Sequence, residues 1–173
     1  MVEAADGGTD KIWADLAAYS LADIANVEIL SFLGSGNFAG IGNSLDNIIT
    51  GGGGDDTLSG GAGNDTLNGG WGDDSLAGGT GNDIYVVYND GDTIIENAGE
   101  GIDTVQTYVA SYTLSANVEN LAKIGSGVFA GTGNNLNNTI TGGAAIDILS
   151  GGAGDDALNG GAGADTLIGG DRE

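Results

Sequence analysis

The sequence contains no cysteine, no histidine and no proline. Without cysteine there are no disulfides and no thiolate chemistry. Without histidine there is no imidazole-based zinc site and no Ser-His-Asp triad. Lack of cysteine leaves the redox compartment open. Lack of proline, in a chain with 36 glycines among 173 residues, excludes collagen and a polyproline linker. Basic residues are nearly missing: Lys11, Lys123 and Arg172 stand against 25 acids, for a formal net charge of −22. That field repels nucleic acid and anionic membrane surfaces, so neither nucleic acid binding nor membrane insertion is expected. No run is long and apolar enough to span a bilayer. Met1 to Lys11 is polar and acidic, unlike a secretory signal peptide.

What is present in excess is glycine and acid. Glycine loses more backbone entropy on folding than any other residue. A chain this rich in it must stay disordered or gain order from something besides an ordinary core. An apolar content of 40% argues against plain disorder. Composition leaves two readings of the acids: a solvated surface, or ligands for a hard cation. Their positions decide between the two.

Four nonapeptides run end to end: GGGGDDTLS from Gly51, GGAGNDTLN from Gly60, GGWGDDSLA from Gly69 and GGTGNDIYV from Gly78. The phase continues into VYNDGDTII from Val87, and a looser turn, GNSLDNIIT, precedes the set from Gly42. A second set follows: GNNLNNTIT from Gly133, GGAAIDILS from Gly142, GGAGDDALN from Gly151 and GGAGADTLI from Gly160. A longer repeat lies on top. NVEILSFLGSGNFAGIGNSLDNIITGG from Asn26 matches NVENLAKIGSGVFAGTGNNLNNTITGG from Asn117, and EAADGGTDKI from Glu3 aligns with ENAGEGIDTV from Glu96. The chain therefore reads as a piece of a larger repetitive protein. Its expected divisions are a partial spacer over 1–41, a first array over 42–95, a β-rich spacer over 96–132, and an interrupted second array over 133–173.

Position eight of each nonapeptide is apolar: Ile49, Leu58, Leu67, Leu76, Tyr85, Ile94, Ile140, Leu149, Leu158 and Leu167. Its neighbours are mostly small or polar. This predicts a three-residue strand with the middle side chain inward, after a glycine-rich turn. Two nonapeptides would make one coil, and residues one coil apart would stack at about 4.8 Å in parallel ladders. The expected fold is all-β, a right-handed parallel β-roll or β-helix solenoid with two GGxGxDxLx arrays joined by β-rich spacers. The spacer aromatics Trp13, Tyr19, Phe32, Tyr108, Tyr112 and Phe129 read as packing for a wider solenoid, with an aromatic carbohydrate platform as the alternative.

Position six is Asp56, Asp65, Asp74, Asp83 and Asp92 in the first array, and Asp147, Asp156 and Asp165 in the second. Aspartates in strict nine-residue phase are not a random solvated face. Stacked carboxylates about 5 Å apart repel by roughly 3 kcal/mol at an effective dielectric near 20. A divalent cation between them reverses the sign. Every available ligand is a hard oxygen, and glycine turns can aim carbonyls inward, which favours Ca²⁺ over soft metals or Mg²⁺.

These phased motifs resemble the repeats-in-toxin, or haemolysin-type, calcium-binding family, whose GGxGxDxUx nonapeptides form a parallel β-helix. Full matches cover Gly51–Val86 and Gly151–Ile168. The resemblance implies that one turn supplies carbonyls from positions two and four plus its Asp. The turn two nonapeptides later supplies carbonyls from positions one and three plus its Asp. One implied site joins Gly52, Gly54 and Asp56 to Gly69, Trp71 and Asp74. A second joins Gly61, Gly63 and Asp65 to Gly78, Thr80 and Asp83. A third joins Gly70, Gly72 and Asp74 to Val87, Asn89 and Asp92. In the second array Gly143, Ala145 and Asp147 meet Gly160, Ala162 and Asp165, and Asp156 lacks a position-six partner. The best-formed ions are expected in 51–92. Asn47 and Asn138 replace Asp, so their sites should be weak or empty. Val87, Asn89 and Ala145 replace turn glycines. Asp55, Asp73 and Asp155, at position five, are expected to face solvent, Asp171 to be a solvated tail acid, and the Trp71 side chain to point outward.

The implied function is a calcium-binding, calcium-dependent folding module of a larger secreted bacterial protein, exported unfolded through type I secretion and without catalysis of its own. Alternatives are an adhesin or surface spacer with a glycan or cell-surface partner, or an accessory module of a secreted hydrolase or polysaccharide epimerase. Paired carboxylates could serve a glycosidase, but one would need an apolar pocket, and these acids are expected in polar turns. An ice-binding surface would need a Thr/Asn ladder on every turn. Thr80 with Asn82 and Thr132 with Asn134 are isolated pairs.

Overall fold

The computed structural model describes residues 8–170. The expectations for Asp171, and for Met1 to Lys11 as far as residue 7, lie outside the described residues. Eighteen strands follow one another: β1 (Lys11–Ala14), β2 (Ala18–Ser20), β3 (Ile29–Phe32), β4 (Ala39–Ile41), β5 (Ile48–Gly53), β6 (Thr57–Ala62), β7 (Thr66–Trp71), β8 (Ser75–Thr80), β9 (Ile84–Val87), β10 (Thr93–Ile95), β11 (Thr104–Thr107), β12 (Ser111–Thr113), β13 (Asn120–Lys123), β14 (Ala130–Thr132), β15 (Thr139–Thr141), β16 (Ile148–Ser150), β17 (Ala157–Asn159) and β18 (Thr166–Ile168). No helix occurs among the described residues.

The odd strands form one nine-stranded sheet from β1 to β17. The even strands face it in two sheets, β2 to β10 and β12 to β18. Neighbouring strands pair in parallel, so each coil contributes one rung to each face and the chain is a β-solenoid of about nine turns. The register follows from the repeat: Ile48 pairs with Thr66 and Thr57 with Ser75, in both cases a step of two nonapeptides. A slip of one residue would turn every apolar side chain outward.

Position eight builds the core as far as Leu149; Leu158 is half-buried, and Leu167, expected to point inward, is exposed on the last described coil. Leu30, Ile49, Leu67, Tyr85, Val105, Leu121 and Ile140 stack in one inner row, all buried. Leu58, Leu76 and Ile94 stack in the facing row. Full burial of such a side chain contributes about 1.5–3 kcal/mol, and each is covered only by its own coil and the coils on either side. A single turn has no core.

The three-residue strand holds in the second array. In the first array it is corrected: β5 to β8 run six residues, through the glycines to position three. Glycines in consecutive turns lie in register there, as Gly52 pairs with Gly70 and Gly61 with Gly79. Without side chains, the backbones approach closely enough to extend the ladder.

The spacers continue the coil with altered spacing. Thr104 pairs back with Ile84, a longer step than two nonapeptides, and forward with Asn120, a shorter one. On the opposite face the ladder breaks between β10 and β12. A cleft of about 440 Å³ marks that seam, lined in part by Asp92, Thr93, Tyr112 and Ser115.

The longer repeat recurs in conformation. Asn26 and Asn117 have φ of 60° and 64°, the only positive values outside glycine among the described residues. Asn43 Nδ2 donates to the carbonyls of Ile24 and Val27, and Asn134 Nδ2 to those of Ser115 and Val118. Phe38 and Phe129 lay their rings against Gly40 and Gly131, where a methyl would meet the ring at 2.6 Å. Of the spacer aromatics, Phe129 is buried, while Phe32 stacks on Phe38 at 4.7 Å and packs with Tyr19 and Tyr112 against the core. Trp13 is exposed, which corrects its reading as packing, while Tyr108, also exposed, stacks on Tyr88 of the neighbouring coil at 4.5 Å. Each lies to one side of an inward residue, so strand alternation turns it out.

Candidate metal centre

Each sixth-position aspartate sits where a glycine turn enters a strand, and the two-nonapeptide register stacks it on the next. One carboxylate oxygen is consumed by this stacking. The Phe38, Asp56 and Asp74 N–H groups donate to Oδ1 of Asp56, Asp74 and Asp92 at 2.8, 2.9 and 3.1 Å. On the other edge, Asn47, Asp65 and Asp83 N–H groups donate to Oδ1 of Asp65, Asp83 and Asp103 at 2.7, 2.7 and 2.8 Å. The second array repeats the pattern from Phe129 to Asp147, Asn138 to Asp156 and Asp147 to Asp165.

The other oxygen tells the turns apart. Oδ2 of Asp56, Asp65, Asp74, Asp83 and Asp156 is shielded from solvent and has no hydrogen-bond partner. Shielding pushes Asp56 and Asp83 up to about 6 and Asp65 to about 7. Burial is the largest cause; backbone hydrogen bonds oppose it and the next turn's carboxylate adds to it. Asp74, Asp92 and Asp103 are raised for the same leading reason. These acids sit among backbone polar groups, and glycine lets successive backbones close over them, so that Asp65 is 1% exposed.

Glycine shapes the space around each Oδ2. A methyl on Gly51 would collide with Asp56 Oδ2 and lie 2.8 Å from the Gly69 carbonyl oxygen. On Gly60 it would collide with Asp65 Oδ2 and lie 2.7 Å from the Gly78 oxygen. A carboxylate oxygen and the next turn's position-one carbonyl thus converge on one cradle. Positions two and four are left-handed, with φ of 101° at Gly52 and 100° at Gly54, a region open to glycine at little cost. Their carbonyls face the turn above: a methyl on Gly70 would strike the Gly52 oxygen, and one on Gly72 the Gly54 oxygen. Gly61 and Gly63 face Gly79 and Gly81 in the same way. Shielded, unpaired hard oxygens around a cradle with no room for a methyl fit a calcium ion.

In the first two predicted groupings the aspartates stack, Asp56 with Asp74 and Asp65 with Asp83, and the Gly69 and Gly78 carbonyls lie beside Asp56 Oδ2 and Asp65 Oδ2. Trp71 pairs with Gly53 in the ladder and its side chain points out, 74% exposed, with its ring 6.5 Å from that of Tyr88. The Thr80 carbonyl accepts the Gly63 N–H at 2.9 Å. The third grouping is stacked but closed. Asp92 Oδ2 accepts the N–H groups of Tyr88 and Asn89, and Asn89 Nδ2 donates to the Gly72 carbonyl at 2.5 Å. The fourth is closed too. Neither Gly143 nor Ala145 has a positive φ, and Gly143 N–H donates to Asp147 Oδ2 at 2.6 Å. Ala145 excludes the left-handed turn, so the backbone folds back onto its own aspartate. A methyl on Gly160 would still collide with Asp165 Oδ2, and the Ala162 N–H donates to the Gly143 carbonyl at 3.1 Å.

The asparagines close their turns by the same contact. Asn43 N–H donates to Asn47 Oδ1 and Asn134 N–H to Asn138 Oδ1. Their amide groups then donate to spacer carbonyls, Val27 for Asn47 and Val118 for Asn138. A carboxylate there would repel those carbonyls.

Position five forms an outer ladder that sequence reasoning missed. Asp55, Asp73 and Asp155 are exposed. Yet Asn37 Oδ1 accepts the Asp55 N–H and Asp55 Oδ1 the Asp73 N–H. Three acids were also missed. Asp103 continues the stack above Asp83, Glu119 accepts the Asp103 N–H at 2.8 Å, and Glu96 lies across the lumen. The step from Asp83 to Asp103 is out of nonapeptide phase; the ENAGEGIDTV match was the available signal.

The fold and its cradles define a parallel β-roll with acid-lined turns built to hold cations. The RTX calcium-binding nonapeptide repeat matches in four copies, at residues 41–76, 50–85, 72–94 and 132–171, just over half of the chain. The chain belongs to that family and is a calcium-binding module. It is also 51% identical over 61 residues to endo-1,3-1,4-beta-glycanase ExsH of Rhizobium meliloti (strain 1021). That match covers 35% of this chain and 13% of the relative. No solved structure matches the chain. No helix among the described residues is long and apolar enough to cross a membrane.

Proposed function

We propose that this chain is a calcium-dependent folding module of a larger secreted bacterial protein, with no catalysis of its own. The observation that carries the reading is the row of shielded Oδ2 atoms on Asp56, Asp65, Asp74 and Asp83. Buried, unpaired carboxylates oppose folding. Calcium bound between the turns supplies the compensating positive charge, so binding energy becomes folding energy. The best sites join Gly52, Gly54 and Asp56 to Gly69, Trp71 and Asp74, and Gly61, Gly63 and Asp65 to Gly78, Thr80 and Asp83. The groupings at Asp92 and at Asp147 with Asp165 are weaker, because their turns satisfy their own carboxylates. Asp156 keeps an unpaired Oδ2, and a methyl on Gly151 would lie 2.5 Å from the Gly169 carbonyl oxygen, so part of a cradle forms there. Affinity lies at the extracellular end, on the order of 10⁻⁴–10⁻³ M. Such a chain stays unfolded where calcium is scarce and folds after export.

Similarity to a relative named as a glycanase favours a second, compatible reading, an accessory module of a secreted polysaccharide hydrolase. A calcium titration followed by circular dichroism tests the main reading. Disorder in chelator and a cooperative gain of β-structure with calcium are expected. A folded spectrum in excess chelator refutes the coupling.

A further inference from the structure

The first array ends at a cluster that joins one repeat aspartate, Asp83, to two acids outside the nonapeptide phase. Asp83, Glu96 and Asp103 each bring a carboxylate oxygen within 4.8 Å of the other two. Asp83 and Asp103 are stacked by the lengthened step between β9 and β11. Glu96 follows β10 directly, at the seam where the opposite sheet breaks, and points into the lumen, 8% exposed. Tyr85, at position eight where the other first-array repeats carry Leu or Ile, reaches across from the nine-stranded sheet. Its hydroxyl donates to Glu96 Oε1 and accepts the Gly78 N–H at 2.7 Å. That chain fixes the Glu96 carboxylate and leaves Oε2 over.

Two oxygens in this cluster are shielded from solvent and have no partner: Asp83 Oδ2 and Glu96 Oε2. The glycine cradle continues here. A methyl on Gly78 would collide with Asp83 Oδ2, and one on Gly101 would collide with the Gly81 carbonyl oxygen and lie 3.0 Å from Asp103 Oδ1. We propose that Asp83, Glu96 and Asp103, with the Gly81 carbonyl, form a further calcium site that shares Asp83 with the second repeat site and caps the first array where the two-nonapeptide register ends. It rests on the reading of the chain as a calcium module, but uses three carboxylates from three segments where a repeat site uses two. The lengthened step removes a position-six aspartate from residue 101, where glycine stands, and Asp103 and Glu96 replace it. Three carboxylates make this site the tightest of the array.

The test counts calcium bound to the whole chain by equilibrium dialysis, for wild type, Glu96→Gln, Asp103→Asn and Asp56→Asn. The last variant removes a repeat site on the opposite edge and reports on the repeats alone. Glu96→Gln and Asp103→Asn are expected to lose one tightly bound calcium, or to weaken it at least tenfold, with the repeat sites retained. Unchanged number and affinity in Glu96→Gln, with a loss in Asp56→Asn, overturns the cap site and leaves the repeats standing. It would mean that Glu96 is a neutral hydrogen-bonded acid. No calcium on wild type overturns both readings. Because a variant can fail to fold, terbium is also located in wild-type crystals by anomalous scattering. An ion among Asp83, Glu96 and Asp103 supports the site, and ions at the repeats with none there refute it.

Discussion

Asp65→Asn separates the cost of the buried carboxylate from the gain it brings with calcium. The substitution keeps Oδ1, so the 2.7 Å hydrogen bond from Asn47 N–H survives. It removes the negative charge from an Oδ2 that is shielded and unpaired. At about pH 8 the wild-type carboxylate is mostly ionised even with its affinity for protons pushed up to about 7. Its repulsion from stacked Asp83 is worth roughly 3 kcal/mol at about 5 Å and an effective dielectric near 20. In chelator the variant should therefore fold more easily by up to about 3 kcal/mol. With calcium at about one hundred times its dissociation constant, losing one site costs about 2.7 kcal/mol. The effect changes sign with the metal. The assay is osmolyte-induced folding in chelator and urea unfolding in calcium, both by circular dichroism. Destabilisation of equal size in both conditions would refute the reasoning, because the carboxylate would then be an ordinary structural hydrogen-bond acceptor.

The same carboxylates set a pH dependence. Asp56, Asp65 and Asp83 have folded-state values near 6 to 7, above the ordinary 3.8, so the folded metal-free chain holds more protons than the unfolded one. Metal-free stability is greatest below about pH 4 and falls as pH rises to about 7, while calcium affinity rises over the same window; chelator and calcium titrations across this range by circular dichroism check both slopes. Ala145→Gly admits the left-handed turn, frees Asp147 Oδ2 from Gly143 N–H and should strengthen calcium binding in the second array, read as a lower calcium midpoint. An unchanged midpoint would show that the alanine is not what closes that turn. Leu67→Ala empties a fully buried rung between Ile49 and Tyr85 and should cost about 2–5 kcal/mol in saturating calcium, measured by urea unfolding. A loss below about 1 kcal/mol would mean that the thin core is not a packed one.

Sequence alone determined the repeating unit, and so the class of fold and of ligand. Nine-residue phase in Gly, Asp and Leu dictates an inward strand residue, a turn that only glycine enters freely, and acids that stack every second nonapeptide. Those are local rules of backbone conformation and side-chain direction, and they are legible wherever the period is strict, as at Asp56 and Asp65. Tertiary structure decided what happens where the period fails. Whether Asp92 or Asp147 keeps an open oxygen depends on which backbone N–H groups fold back onto it. Whether an acid sits in solvent or in the lumen depends on how closely neighbouring coils approach. The meeting of Asp83, Glu96 and Asp103 follows from a lengthened step and a break in the opposite sheet. No nine-residue pattern marks that meeting, because contacts between coils are set by the number of residues in each turn and not by the identity of any one motif.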